Sequence, residues 1–232
     1  MLSDASDGIG MSAQPLGVRS LPMALRAEIE RIILQGDLPM GERLNENYFA
    51  EKFQVSRGPV REAFRALVEA GLLEFIPNRG VFIRPISLAE AMAAYEVRAG
   101  LFALAGRLAA TRIRKEEVIR LRGLVHEMDE CIKRGGDGKA YYQANIALDA
   151  AILAAARNDR LAQTYQGLVK ELHLFRMKNL GRADHMGESN REHAEMVDAL
   201  AAGDEQRAQD AHFNHVMNAR ERVLEAYAAK TD

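Results

Sequence analysis

The stretch Val55-Ser56-Arg57-Gly58-Pro59-Val60-Arg61-Glu62-Ala63-Phe64-Arg65-Ala66-Leu67-Val68-Glu69-Ala70-Gly71 carries two helical patterns at once. Val60, Phe64, Leu67 and Val68 form an apolar stripe, while Arg57, Arg61 and Arg65, four residues apart, line the opposite face. Ser56 is the natural N-cap, Pro59 is tolerated in the first turn, and Gly71 marks the end. Gly58 lacks a side chain and lets its backbone approach a surface closely. Such a helix suits insertion into a DNA groove, because the opening turns of a recognition helix meet bases and phosphates and its unpaired N–H groups favour phosphate oxygens. By spacing, the same arginines also suit a solvated face paired with Glu62 and Glu69.

Upstream, Leu25, Ile29, Ile32 and Ile33 repeat at helical spacing and stop at Gly36. After the turn Leu38-Pro39-Met40-Gly41, Asn45 can cap a short helix that runs through Lys52 or Phe53 with Phe49 and Phe53 on one face. Downstream, Leu72 to Ile76 and Val81 to Arg84 flank Pro77-Asn78-Arg79-Gly80, which reads as two short strands joined by a tight turn. Arg79 at the tip is placed to reach an adjacent groove or phosphate. Three helices followed by a hairpin predict a winged helix-turn-helix over residues 20–86, preceded by a Ser-, Gly- and Asp-rich tail, 1–19, read as disordered.

The character of the chain changes at Arg84-Pro85-Ile86-Ser87. All six prolines lie before this point's end, at Pro85 or earlier, and all six histidines lie after it. The proline-free remainder, 87–232, rich in Ala, Leu, Arg and Glu, predicts an all-α bundle, opened by Ser87 and Glu90 at capping-box spacing. The fold class is therefore mainly α: a winged helix-turn-helix joined to an all-helical domain.

Over 232 residues, 31 Lys+Arg stand against 33 Asp+Glu, a net charge of −2. That excludes a protein that coats nucleic acid through bulk charge, though not a local basic surface. The single cysteine, Cys131, cannot close an internal disulfide and indicates a reducing compartment. No stretch reaches the roughly 18 apolar residues of a membrane span, and the N-terminus has no basic and apolar leader, so a cytoplasmic location is expected.

The first part closely resembles the DNA-binding domain of GntR-superfamily transcription regulators. The resemblance rests on Leu38 to Glu46, Val55 to Ala63, Glu69-Ala70-Gly71-Leu72-Leu73 and Asn78-Arg79-Gly80-Val81-Phe82-Ile83, in family order. It implies DNA-facing roles for Arg43, Asn47, Ser56, Arg57, Gly58, Arg61, Arg65, Arg79 and Gly80. Gly58 stands where the family usually has Thr, and Gln54 stands where Gly is common, so Gln54 is expected to take a left-handed conformation.

The second part resembles the FCD effector domain of the FadR branch, through Tyr95-Glu96-Val97-Arg98, Ala109-Ala110, Asn145 and Asp149, Arg157-Asn158, Glu192-His193, Ala202-Gly203-Asp204 and His215. The family's bundle usually encloses a divalent metal that helps bind a small carboxylate effector. Carried over, the ligands are Asn145, Asp149, His193 and His215, with Asp149 where His is usual. Two imidazoles with oxygen donors suit Zn, Mn, Ni or Fe, and the carboxylate moves preference toward harder ions. Alternatively the metal is lost and Asp149 bonds a His or Arg inside an organic pocket. The effector-binding candidates are Arg98, Asp149, His193 and His215; Arg98 could meet an effector carboxylate or an internal one. His212 is expected at the surface or in a capping role. His173, Arg176 and Tyr142 lie on predicted helices whose orientation the sequence does not fix.

The resemblance implies a regulator, by commonest behaviour a repressor, that binds an inverted-repeat operator in double-stranded DNA as a homodimer and responds to a small organic acid. The rival readings are a metal-free regulator with an organic or acyl ligand, and a metal-dependent enzyme built on the Asn145, Asp149, His193 and His215 set.

Overall fold

The computed structural model describes residues 21–34, 38–135, 138–179 and 185–229; the side chains of 139, 174 and 176–179 and the 1–19 tail lie outside the described residues. The N-terminal region comprises α1 (Leu21–Leu34), β1 (Arg43–Leu44), α2 (Glu46–Lys52), α3 (Arg57–Glu69), β2 (Leu73–Ile76) and β3 (Gly80–Ile83). The expected stop at Gly36 also lies outside the described residues. The stripes of α1 and α3 face each other: Leu25, Ile29, Ile33, Val60, Phe64 and Leu67 are buried in one cluster with Phe49. Phe49 meets Phe64 edge to face at 5.5 Å, an arrangement worth roughly 0.5–1.5 kcal/mol beyond area burial.

The wing has three strands in the order β1-β3-β2, both pairs antiparallel, and so contains one strand more than the predicted hairpin. β1 escapes periodicity because it is two residues long. It is held by Arg43 and Leu44 in register with Phe82 and Val81, and by Gly41 N–H to the Ile83 carbonyl (2.8 Å). Gln54 does adopt the left-handed conformation (φ 53°), which lets Val55 N–H reach the Ala50 carbonyl and turn the chain into α3. Ser56 occupies the N-cap position of α3, but its hydroxyl makes no capping bond.

Ser87 and Glu90 form the expected capping box and start α4 (Leu88–Arg112). Five helices follow: α5 (Lys115–Lys133), α6 (Gly138–Ala155), α7 (Asp159–Asn179), α8 (Met186–Ala202) and α9 (Glu205–Ala228). α4 runs through the middle of the bundle, packing on α6, α7, α8 and, most extensively, α9. The α4–α9 approach is close because Gly106 has no side chain: a Cβ there would lie 2.5 Å from His212 Nδ1 and 2.8 Å from the Ala208 carbonyl oxygen. Among the described residues no helix is long and apolar enough to cross a membrane.

Candidate functional site

The α3 basic face is outward, since Arg57, Gly58, Arg61 and Arg65 are exposed while Val60, Phe64 and Leu67 are buried beneath them. Arg43, Asn47, Ser56 and Arg79 are exposed too, and Gly80 is half-buried. The arginines are held loosely. Arg61 makes a two-pronged bond to Glu46 on α2 (2.8 and 3.2 Å), Arg65 pairs with Glu62 (2.8 Å), and Arg57 has no ion pair among the described residues. Of the two partners that the spacing suggested, Glu62 is used and Glu69 is not. A Cβ on Gly58 would meet nothing within 4 Å, so the opening turn of α3 is clear of protein. At the wing, Arg79 lies over the Phe82 ring at 5.6 Å. Gly80, at φ +108°, leaves room for the Arg43 guanidinium, whose Nε would sit 3.3 Å from an added Cβ. α3 and the wing thus present cations on one side of an apolar scaffold, a shape that can enter a groove and touch its flanking phosphates.

Inside the bundle, polar groups gather around Arg98. Arg98 (α4), Asn145 and Asp149 (α6), His193 (α8) and His212 and His215 (α9) are all buried. Arg98 Nη2 donates to Asp149 Oδ2 (3.1 Å); Arg98 Nε and Nη2 donate to the Tyr165 hydroxyl (3.0 and 2.8 Å), which itself donates to Asp149 Oδ2 (2.8 Å). Burial opposes the Arg98 charge, but Tyr165 and Asp149 outweigh it and hold the guanidinium protonated. Burial, reinforced by the Asp149 charge, keeps the Tyr165 hydroxyl protonated as well. Of the two roles that the sequence left open for Arg98, the internal carboxylate is the one it fills here.

His215 donates from Nδ1 to Glu192 Oε2 (2.7 Å), and Glu192 also accepts from Arg222 and Asn218. Burial would raise the Glu192 pKa, yet these bonds hold it down at about 2. The His193 ring lies 4.6 Å from that of His215, and both its nitrogens are buried without a partner among the described residues. Burial, with His215 and Arg98 nearby, pushes the His193 pKa well down. His212 corrects the surface reading: it is fully buried against Phe102 and the Gly106 notch, donates from Nδ1 to the Ala208 carbonyl (2.6 Å), and burial lowers its pKa to about 4.

The family's metal can be tested against these contacts. Its ligands would be oxygen atoms of Asn145 and Asp149 and the imidazoles of His193 and His215. Asp149, His193 and His215 do not bring three donor atoms within 4.8 Å of one another; the one such group among the described residues is His126, Asp129 and Glu130 on α5. Asp149 Oδ2 is already shared by a guanidinium and a phenol. As folded, the set does not fit a divalent ion.

Sequence reasoning missed Tyr165, whose place between Arg98 and Asp149 joins α4, α6 and α7, separated by 51 and 16 residues. It also missed that α7 reaches the DNA-binding head. Lys170 pairs with Glu30 on α1 (2.5 Å), Glu171 lies 3.6 Å from Arg84 after the wing, and His173 Nε2 donates to the Leu34 carbonyl (2.6 Å). Tyr142 meets His173 Nδ1, so these two residues serve the junction of the two domains; the side chain of Arg176 lies outside the described residues.

Two family models match the chain: bacterial regulatory proteins of the gntR family over residues 23–83, and the FCD domain over residues 93–218. A probable D-xylose utilization operon transcriptional repressor of Paenarthrobacter nicotinovorans is 34% identical over 189 residues, covering 79% of this chain and 80% of its own. An uncharacterised HTH-type transcriptional regulator of Bacillus subtilis (strain 168) is 28% identical over 202 residues, covering 85% and 90%. The solved structure of E. coli McbR/YncC superimposes with a TM-score of 0.77 at 20% identity, over 90% of this chain and 100% of that one, which shows a shared fold.

Proposed function

The chain belongs to the GntR family of bacterial regulatory proteins and carries an FCD domain; as such it is a transcription regulator and not an enzyme, and we propose that it is a repressor whose α3 and wing read an operator while a small organic effector in the bundle sets the position of the DNA-binding head. The observation that carries this reading is the outward row of Arg57, Arg61 and Arg65 on a helix whose other face is core.

Arg57, Arg61 and Gly58 take the groove, and Arg43, Asn47, Ser56, Arg65, Arg79 and Gly80 flank it on phosphates and the adjacent groove. The head is residues 20–86 and the effector domain 87–232. A second copy supplies the other half-site of an inverted repeat; the exposed apolar side chains of Val97 and Leu104 on α4 and Phe213 on α9 support that pairing. The route from effector to DNA is α7, which carries Tyr165 in the polar interior and Lys170, Glu171 and His173 against the head. A ligand that shifts Tyr165 acts on a helix already bonded to α1 and to the end of the wing. The relative named for a D-xylose utilization operon supports a regulator of one catabolic operon.

The experiment is operator selection from a random DNA pool, followed by gel shift with variants. Arg57→Ala and Arg61→Ala should each weaken specific binding about tenfold or more; unchanged affinity in both removes α3 as the reading helix.

A further inference from the structure

Taking the bundle as the effector site, as proposed above, we propose that Asp149 is a built-in counter-ion to Arg98 that replaces both the metal and the effector's carboxylate, so that the interior works without a divalent ion and takes an uncharged polyhydroxyl ligand.

Arg98 and Asp149 have already consumed much of each other's bonding capacity. Asp149 Oδ2 accepts from Arg98 and from Tyr165, and both side chains of the pair are nearly closed off from water, at 4% and 9% exposure. A divalent ion on this carboxylate would sit beside the guanidinium with little water to screen the repulsion. An effector carboxylate fares no better at Arg98, because that buried cation already has an anion. Bringing in a second anion would leave one negative charge uncompensated in a low-dielectric interior.

What the interior still offers is hydrogen bonding without net charge. Asp149 Oδ1, the Tyr95 hydroxyl, both nitrogens of His193 and His212 Nε2 are buried without partners among the described residues; Asn190 Oδ1 and Arg220 Nε are likewise unpartnered, the latter on a guanidinium whose charge is met by Glu96 and Glu221. The set is mixed in kind. Asp149 Oδ1 only accepts; His212 Nε2 accepts, because Nδ1 carries the hydrogen given to Ala208; Tyr95 can donate; a neutral His193 does one of each. These groups come from four helices around the same pair: Tyr95 is one turn before Arg98 on α4, His193 on α8 feels the Arg98 charge, and His212 on α9 feels that of Asp149. A ligand bearing several hydroxyls, each able to donate and accept, satisfies such a set, whereas an acid or a bare cation satisfies half of it. Buried polar groups left unpaired cost free energy, so the ligand that pairs the most of them is favoured.

The test uses the full chain, purified without a histidine tag and treated with EDTA. Zn, Ni and Mn are offered first and the protein-bound ion is measured by elemental analysis. The expected result is no more than about a tenth of an equivalent held in the interior. Uptake near one equivalent that persists in His126→Ala overturns the proposal, while uptake that His126→Ala abolishes belongs to the group of His126, Asp129 and Glu130 on α5 and leaves the interior ion-free, as proposed. Matched probes are then compared by thermal shift: aldopentoses and pentitols against the pentonates of the same skeleton. Stabilisation of the wild-type protein by the neutral members supports the proposal, and stabilisation by the acids overturns it. Where no probe in the panel binds the wild type, Asp149→Asn decides. Removing the built-in anion should let formate, acetate or a pentonate raise the melting temperature of the variant by a few degrees while the wild type is unmoved; a variant that gains nothing from carboxylates overturns the assignment. If Asp149→Asn does not fold, Asp149→His replaces it: with an imidazole in place of the anion, this variant should take up an ion that the wild type refuses, and failure to do so counts against the proposal. None of these readouts involves DNA, so their failure leaves the operator-binding result standing on its own.

Discussion

The head and the bundle keep their charged residues in opposite places. In the head, the core of Leu25, Ile29, Val60, Phe64 and Leu67 is wholly apolar, and every arginine proposed to act sits outside in solvent, Arg61 and Arg65 in water-screened pairs. In the bundle, Arg98, Asp149 and three histidines lie inside the core. The difference teaches what each region can exchange. A surface cation paired at 2.8 Å with Glu46 can trade that partner for a phosphate at little cost, because water solvates both states. A buried cation cannot be left alone, so the bundle can change partners only by concerted replacement.

The largest effect that would break this contrast is on the Arg98–Asp149 pair. Arg98→Met leaves Asp149 buried without its cation and should cost about 3–5 kcal/mol, as should Asp149→Leu. The double replacement should recover most of that loss, since it strands no charge. Urea denaturation of the three variants measures the coupling; three additive losses would mean the pair is no more interdependent than a surface one.

Next comes acid. Burial holds the His212 pKa in the fold at about 4, against about 6.5 for a free imidazole, so between those values the unfolded chain holds a proton that the folded one does not. Its contribution is complete above pH 6.5 and falls away as pH drops toward 4, by about 3 kcal/mol at the limit. His193, also shifted downward, adds in the same direction. Glu192, held down at about 2, loses its contribution only as pH falls from 4.5 toward 2. Stability measured in pH steps should therefore decline first between 6.5 and 4, and His212→Gln should flatten that step while sparing the more acidic one. An equal decline in the variant would mean that His212 is not the group being protonated.

Gly106→Ala is smaller. Ala is the better helix former by up to about 1 kcal/mol, but the added Cβ meets His212 Nδ1 at 2.5 Å and the Ala208 carbonyl at 2.8 Å. Since one obstacle is backbone, overpacking should win and cost about 1–3 kcal/mol, read as a lower melting temperature. A neutral or stabilised variant would show that α4 and α9 can part more easily than a tightly packed core allows.

The same contrast explains what could be read from the sequence. The head was legible almost throughout, because its stripes, caps and turns are local: the apolar stripe of α3 and the Asn45 cap of α2 follow from residues within a few positions, while the left-handed Gln54 came through resemblance. β1 was not, since two residues show no period and its pairing is with residues nearly forty positions away. In the bundle, the six helices were expected as a class, and the buried histidines His193 and His215 came through resemblance. The partnership of Arg98 with Asp149 and Tyr165 spans helices far apart in the chain, and no local pattern encodes it. His212 was misplaced for the same reason: its burial depends on a notch at Gly106, more than a hundred residues earlier. The run Ala103-Leu104-Ala105-Gly106 was the available signal, since small residues on a long helix mark a close approach.

The smallest effect concerns the head itself, where the contrast is sharpest. Glu46 holds Arg61 by two bonds at a largely exposed site, and these bonds raise the Arg61 pKa. A phosphate or a guanine edge must compete with that carboxylate for the same guanidinium. Glu46→Gln should leave the melting temperature within error, because the pair is screened by water. It should nonetheless tighten operator binding a few-fold, because the competing anion next to the groove is gone. The gain should shrink as salt is added, since screening weakens both the competition and the attraction. Gel shifts at two salt concentrations decide it: weaker binding in the variant would mean that Glu46 orients Arg61 for DNA instead of withholding it, and the loose surface pairing described here would be part of the reading head's geometry.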